Sequence, residues 1–188
     1  RLNPTIAEFG LYKLPPSVVF KVNTLEKLRK PNKNNKAVGK PSQLKTAPDP
    51  KYNKGGNSAW NNGVFGNNIA FNDGEWLGWS GQDFEGTIDF QKAETINSVS
   101  VYFMNLPQSW IYPPSQVSLL VSDDGVNFKE IETQHNPSLT DEGAQRVLFK
   151  VKNLQAKYMK IVAKHYGLIP KGYEGAGSSA WLFIDEVV

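Results

Sequence analysis

Apolar positions recur every second residue in a series of short runs along this chain, and no stretch sustains a helical period. Thr87–Phe90 alternates and reads as a strand. Ile96–Phe103 puts Val99, Val101 and Phe103 on one face, and Gln116–Ser122 does the same with Val117, Leu119 and Val121. Asp123–Asn127 contains Asp124-Gly125, a hairpin signal, and Phe128–Ile131 is its return strand. Gln145–Val151 aligns Val147, Phe149 and Val151. Lys157–Lys164 aligns Met159, Ile161 and Ala163, and Trp181–Val188 closes the chain as a strand. Ala37–Leu44 is expected to be a first edge strand, because Pro41 lacks the N–H that a central strand must donate. Short strands at regular spacing predict an all-β sandwich or jelly roll.

Upstream, Ile6–Tyr12 and Ser17–Val22 read as two strands bounded by proline. Thr24–Pro31 reads as a helical turn stopped by its proline, and Asn32–Lys36 as a linker. The expected division is therefore residues 1–36, N-terminal strands and a basic linker compatible with the end of a preceding domain, and residues 37–188, the β-sandwich. The chain starts Arg1-Leu2-Asn3-Pro4, with no initiator methionine and no signal peptide, as expected of a piece of a longer protein.

Charge follows the same division. The net +3 over 188 residues conceals a basic stretch, 21–54, with ten Lys/Arg against two acids, and an acidic remainder, 55–188, with nine against fifteen. A nucleic-acid reader carries its basic patch on the domain that touches the ligand, so this distribution argues against that function. Cysteine is absent, which excludes disulfides, thiolate metal sites and a thiol nucleophile. No apolar run approaches the length of a membrane-spanning helix.

Around Asn72–Phe90 a turn signal is followed by Trp76 and Trp79 among glycines. Such tryptophans either plug a sandwich or offer flat faces to a ligand. The plug is the favoured reading for Trp76 and for Trp181, while Trp79 is open between the two. Three loops are too long and too aromatic for mere turns: Trp76–Phe84, Asn105–Ser115 and His165–Ser179. Sugars present a C–H face and a rim of hydroxyls, so a glycan site needs aromatic platforms beside polar groups. Trp79, Trp110, Tyr112, His165, Tyr166 and Tyr173 are the candidate ligand-binding residues, with Trp110 and Tyr112 expected to be exposed in a proline-stiffened loop. The three loops are expected to converge at one end of the sandwich.

The carboxylate pairs Asp83/Glu85, Asp123/Asp124 and Asp141/Glu142 are explained by strand and turn positions. No Gly-x-Ser-x-Gly, His-Glu-x-x-His or P-loop occurs, so catalysis within this chain is not expected.

Ala59-Trp60-Asn61-Asn62-Gly63, Trp76 and the strand ending Asp89-Phe90-Gln91 resemble the discoidin, or factor V/VIII type C, domain. So do Val121–Gly125 with Phe128, Ala156–Ile161 and Asp185-Glu186-Val187. Carbohydrate-binding modules of family 32 share that fold. A narrower likeness, in Tyr52–Gly56, Asn62–Gly66, Glu75–Glu85 and Gly175–Glu186, is to the C-terminal domain of exported Bacteroidetes glycoside hydrolases, especially family 20 β-N-acetylhexosaminidases. Pro4–Tyr12 resembles a strand ending a module in such enzymes, α-L-fucosidases included.

The resemblance implies an eight-stranded, galactose-binding-domain-like jelly roll with its ligand site in loops at one end. It implies a non-catalytic accessory domain that targets a glycoside hydrolase to glycans, with the catalytic domain on the same polypeptide. Secretion, a periplasmic or a bacterial cell-surface location, and a monomeric state are expected with it. The alternatives are a structural module without ligand and a protein- or membrane-binding discoidin domain. The family's structural Ca²⁺ would fall to Asn62, Asn67 or Asn68, and Glu186, using amide and carboxylate oxygens with backbone carbonyls of the same turn. Asn62-Gly63 stands where the family usually has Asp-Gly, which weakens that site; the competing reading is a turn held by Asx hydrogen bonds.

Overall fold

The computed structural model describes residues 34–135 and 141–188. The strand and helix readings at Ile6–Tyr12, Ser17–Val22 and Thr24–Pro31 lie outside them. The described strands are β1 (Ser42–Leu44), β2 (Leu77–Ser80), β3 (Phe84–Asn105), β4 (Gln116–Ser122), β5 (Lys129–His135), β6 (Gly143–Lys164) and β7 (Trp181–Val187). Among the described residues the only helical pieces are single 3₁₀ turns at Pro50–Tyr52, Ala59–Asn61 and Pro107–Ser109.

All pairings between these strands are antiparallel, in the order β2-β7-β3-β6-β4-β5, with β1 added to β3. The stretches read from sequence as separate strands are continuous in β3 and β6, which run alongside one another through both layers. Their pairing is interrupted between Asp89 and Glu94 and again between Ile96 and Ser98. Gln91 (φ 69°) and Asn153 (φ 50°) take left-handed backbone at these corners. Each corner is tied by a side chain: the Gln91 N–H donates to Asp89 Oδ1 at 2.6 Å, and the Asn153 N–H to Asn97 Oδ1 at 3.1 Å. A β-strand can cross between layers in this way because a bulge adds twist and redirects the chain.

The first halves of β3 and second half of β6 join β1, β4 and β5 in one layer. The remaining halves join β7 and β2 in the other. Between them lies the expected core, with Ile88, Val99, Val101, Phe103, Val117, Leu119, Phe149, Ile161 and Ile184 inward and Trp60 fully buried. Burying one such aliphatic or phenyl side chain contributes about 1.5–3 kcal/mol. The first edge strand is shorter than Ala37–Leu44: pairing begins after Pro41, whose carbonyl accepts the Asp89 N–H at 2.9 Å. The ends of the sandwich meet, since the Asn35 amide donates to Val187 O at 2.8 Å.

Candidate functional site

Three loops are gathered at the start of β7. Ala180 accepts from the Gly81 N–H at 3.1 Å and donates to Gly167 O at 2.9 Å, while the Trp181 N–H donates to Trp110 O at 2.8 Å. Residues 80–83, 106–115 and 165–180 therefore form one surface, as the sequence led us to expect of these loops, though not with every predicted ring on it.

Trp79 belongs to the core. It sits in β2 opposite Leu182, is 2% exposed, packs edge-on against Phe84 at 5.2 Å and donates its indole N–H to Thr46 O. Strand alternation turns it inward, so it offers no face to a ligand. Tyr112 is also buried, at 1%. Its loop bends back into the sheet: Ile111 bridges Trp181, and the Tyr112 N–H donates to Trp181 O at 3.1 Å. The ring closes a small cluster with Ile169 and Ala180, beside Tyr166 (5.0 Å) and Tyr173 (6.2 Å). Its hydroxyl is buried without a hydrogen-bond partner among the described residues. Trp76 is buried and Trp181 half-buried in a second cluster with Tyr52, Phe71 and Phe183, as plugs.

Trp110 does reach the surface, at 37% exposure, and Tyr173 and Leu168 are more exposed still. Pro107 starts the 3₁₀ turn that leads to Trp110, which takes φ 63° with its N–H on Pro107 O. A non-glycine residue in that conformation is uncommon and concentrates at functional sites. The indole lies against Gly175: a Cβ there would stand 2.5 Å from Trp110 Cε2, and φ +79° further reserves the position for glycine.

Beside this aromatic patch is a polar groove of about 320 Å³ lined by Lys45, Thr46, Gln82, Asp83, Lys164 and His165. Asp83 accepts from Lys164 Nζ at 2.8 Å, from His165 Nδ1 at 2.9 Å and from the His165 N–H at 3.0 Å. Burial pushes the Asp83 carboxyl up, but the bonds from His165 and Lys164 together outweigh it and hold the group at about 2. Glu85 is held below its ordinary value by its bond to Lys45 (2.8 Å), against burial, with Lys160 (3.1 Å) adding to it. Asp83, Lys45 and Lys164 were not legible as a site; the one signal was charges of opposite sign on the outward positions of two segments, Asp83/Glu85 and Lys160/Lys164.

The oxygens assigned to calcium are engaged by hydrogen bonds. Asn62 Oδ1 accepts the Val64 N–H at 2.7 Å, and its amide donates to Glu75 at 2.8 Å. Asn67 Oδ1 accepts the Ile69 N–H at 2.9 Å, and its carbonyl takes the Trp76 indole N–H. Glu186 is fully buried, with Oε2 on the Gly63 N–H at 3.0 Å and Oε1 on the Asn35 amide at 3.3 Å. As they stand these oxygens accept from N–H donors, the pattern of the competing reading, a hydrogen-bonded turn. Among the described residues no three His, Cys, Asp or Glu are grouped to hold a metal ion.

A profile of the F5/8 type C domain matches residues 49–181. No curated protein matches the chain. Solved structures with a similar fold include a Streptococcus pneumoniae fucose-binding module, 21% identical with TM-score 0.52, covering 84% of this chain and 96% of that one. The lectin domain of lectinolysin, complexed with Lewis B antigen, is 16% identical with TM-score 0.51, covering 83% and 95%. Chitosan-binding module 1 of a Paenibacillus sp. IK-5 chitosanase/glucanase is 16% identical with TM-score 0.50, covering 82% and 96%. At these identities the likeness speaks to the fold, while the profile covers well over half the sequence: the chain belongs to the F5/8 type C domain family.

Proposed function

We propose that this chain is a non-catalytic carbohydrate-binding domain that holds a secreted bacterial glycoside hydrolase on its glycan substrate. The observation that carries the reading is the juxtaposition of exposed Trp110 and Tyr173 with the Asp83–Lys164–His165 groove at one end of a rigid sandwich. Rings can stack on the C–H face of a sugar while the groove supplies donors and acceptors for its hydroxyls. The fucose-, Lewis B- and chitosan-binding relatives, all glycan binders on this fold, support it. The carboxylates of the groove support a binding role over an acid–base one: Asp83 and Glu85 are each engaged by lysine, and a carboxyl held at about 2 is a poor general acid at neutral pH.

A shallow site of this kind binds a monosaccharide weakly, on the order of −4 kcal/mol, or millimolar. Tethering to a catalytic module compensates by raising the effective concentration. Trp110→Ala tests the reading by calorimetry: glycan affinity should fall at least about tenfold while the melting temperature holds. A wild-type chain that ignores every glycan tested would point to a structural module instead.

A further inference from the structure

The polar groove and the aromatic patch are parts of a continuous surface. His165 ends the groove, and Tyr166, Leu168 and Tyr173 follow it directly into the patch. Ser115, from the loop that carries Trp110, donates to His165 O at 3.2 Å and ties the two halves together. The groove's lining carries no exposed tryptophan, tyrosine or phenylalanine ring, and the patch supplies such rings in Trp110 and Tyr173.

The groove has a distinctive donor–acceptor pattern. Lys164 and Asp83 form one ammonium–carboxylate pair at 2.8 Å, and Lys45 and Glu85 form another at 2.8 Å. A vicinal diol is complementary to such a pair: one hydroxyl donates to the carboxylate and its neighbour accepts from the ammonium. Lys45 and Lys164 remain half or more exposed, so each ammonium keeps donors for this role. Three ammoniums, Lys45, Lys160 and Lys164, are paired with two carboxylates, Asp83 and Glu85, so the bed keeps an excess of one positive charge, too small to select an anionic ligand by itself.

Resting on the glycan reading, we infer that the ligand is a neutral oligosaccharide bound across both halves, with one sugar's vicinal hydroxyls in the Lys45–His165 groove and the adjoining units stacked on Trp110 and Tyr173. The test is calorimetry on the full chain with galactose, fucose and N-acetylglucosamine, and with neutral tetrasaccharides ending in each. At least one tetrasaccharide should bind about tenfold or more tighter than its monosaccharide. Trp110→Ala should narrow that advantage, and Lys164→Ala should weaken both ligands. Asp83→Asn serves in its place should the lysine variant melt early. Raising the ionic strength to about 1 M, where charge screening acts within ~3 Å, should change the affinity less than threefold. Equal affinity for monosaccharide and tetrasaccharide would overturn the two-part site while leaving glycan binding in place. So would groove variants that bind normally, and a steep loss with salt would mean an anionic ligand. Failure of every sugar to bind would overturn the glycan reading beneath it.

Discussion

Tyr112 holds a hydroxyl with no partner among the described residues inside an aromatic cluster, where burial, more than the neighbouring Tyr173 and Tyr166, pushes its ionisation up. An unsatisfied buried polar group costs about 1–3 kcal/mol. The ring contacts to Tyr166 and Tyr173 do not need the oxygen. Tyr112→Phe should therefore leave the urea midpoint unchanged or raise it. A loss of more than about 1 kcal/mol would show that the hydroxyl is bonded in solution. The sequence placed this ring outside because it sits among prolines. Local composition marks a loop, but which way a ring turns is decided by the distant strand the loop pairs with, here β7.

At the scale of the element, β7 carries the least expected feature, two consecutive buried carboxylates. Burial raises Asp185 to about 7, against the Gly66 N–H and with Asp73 and Glu75 adding repulsion. Burial likewise raises Glu186 to about 8, against the Gly63 N–H and with Asp185 adding repulsion. In the unfolded chain both groups titrate near ~4. Between about pH 4 and pH 8 the folded state thus holds protons that the unfolded state releases, so stability falls as pH rises through that window. The urea midpoint should be higher at pH 5 than at pH 8, by an amount equivalent to about 2 kcal/mol or more. Asp83 acts in the opposite sense, its contribution being lost only as pH falls from about 4 toward 2. A midpoint that rises from pH 5 to pH 8, or a melting temperature that drops in excess chelator, would mean that a cation and not a proton neutralises the pair. The strands themselves were legible, since period-two runs such as Val99/Val101/Phe103 and Val117/Leu119/Val121 do face the core. Their fusion into long β3 and β6 was not, because left-handed Gln91 and Asn153 donate their N–H groups to Asp89 and Asn97 at corners where no glycine announces the bend.

Over the whole molecule, the three gathered loops and the joined termini of the sandwich are served by different residues, so stability at one can be altered without touching the other. The joint is held by side-chain amides. Asn35 donates to Glu186 and to Val187 O, and buried Asn61 donates to Ala37 O at 3.0 Å and to Lys40 O at 2.9 Å. Lys36 adds an exposed ion pair with Glu94 at 2.9 Å, worth little by itself. A chain beginning at Pro41 loses both Asn35 bonds and leaves the Asn61 amide without its two carbonyl partners. Each group orphaned in this way costs about 1–3 kcal/mol, and in a domain of this size each kilocalorie lowers the melting temperature by about 2–4 °C. A chain beginning at Asn34 keeps all of these bonds. It should melt at least about 5 °C above the one beginning at Pro41, in calorimetry at matched pH. Coincident melting curves would show that β1 and the strand ladders close the sandwich without the amides, and that Asn35 and Asn61 only decorate the joint.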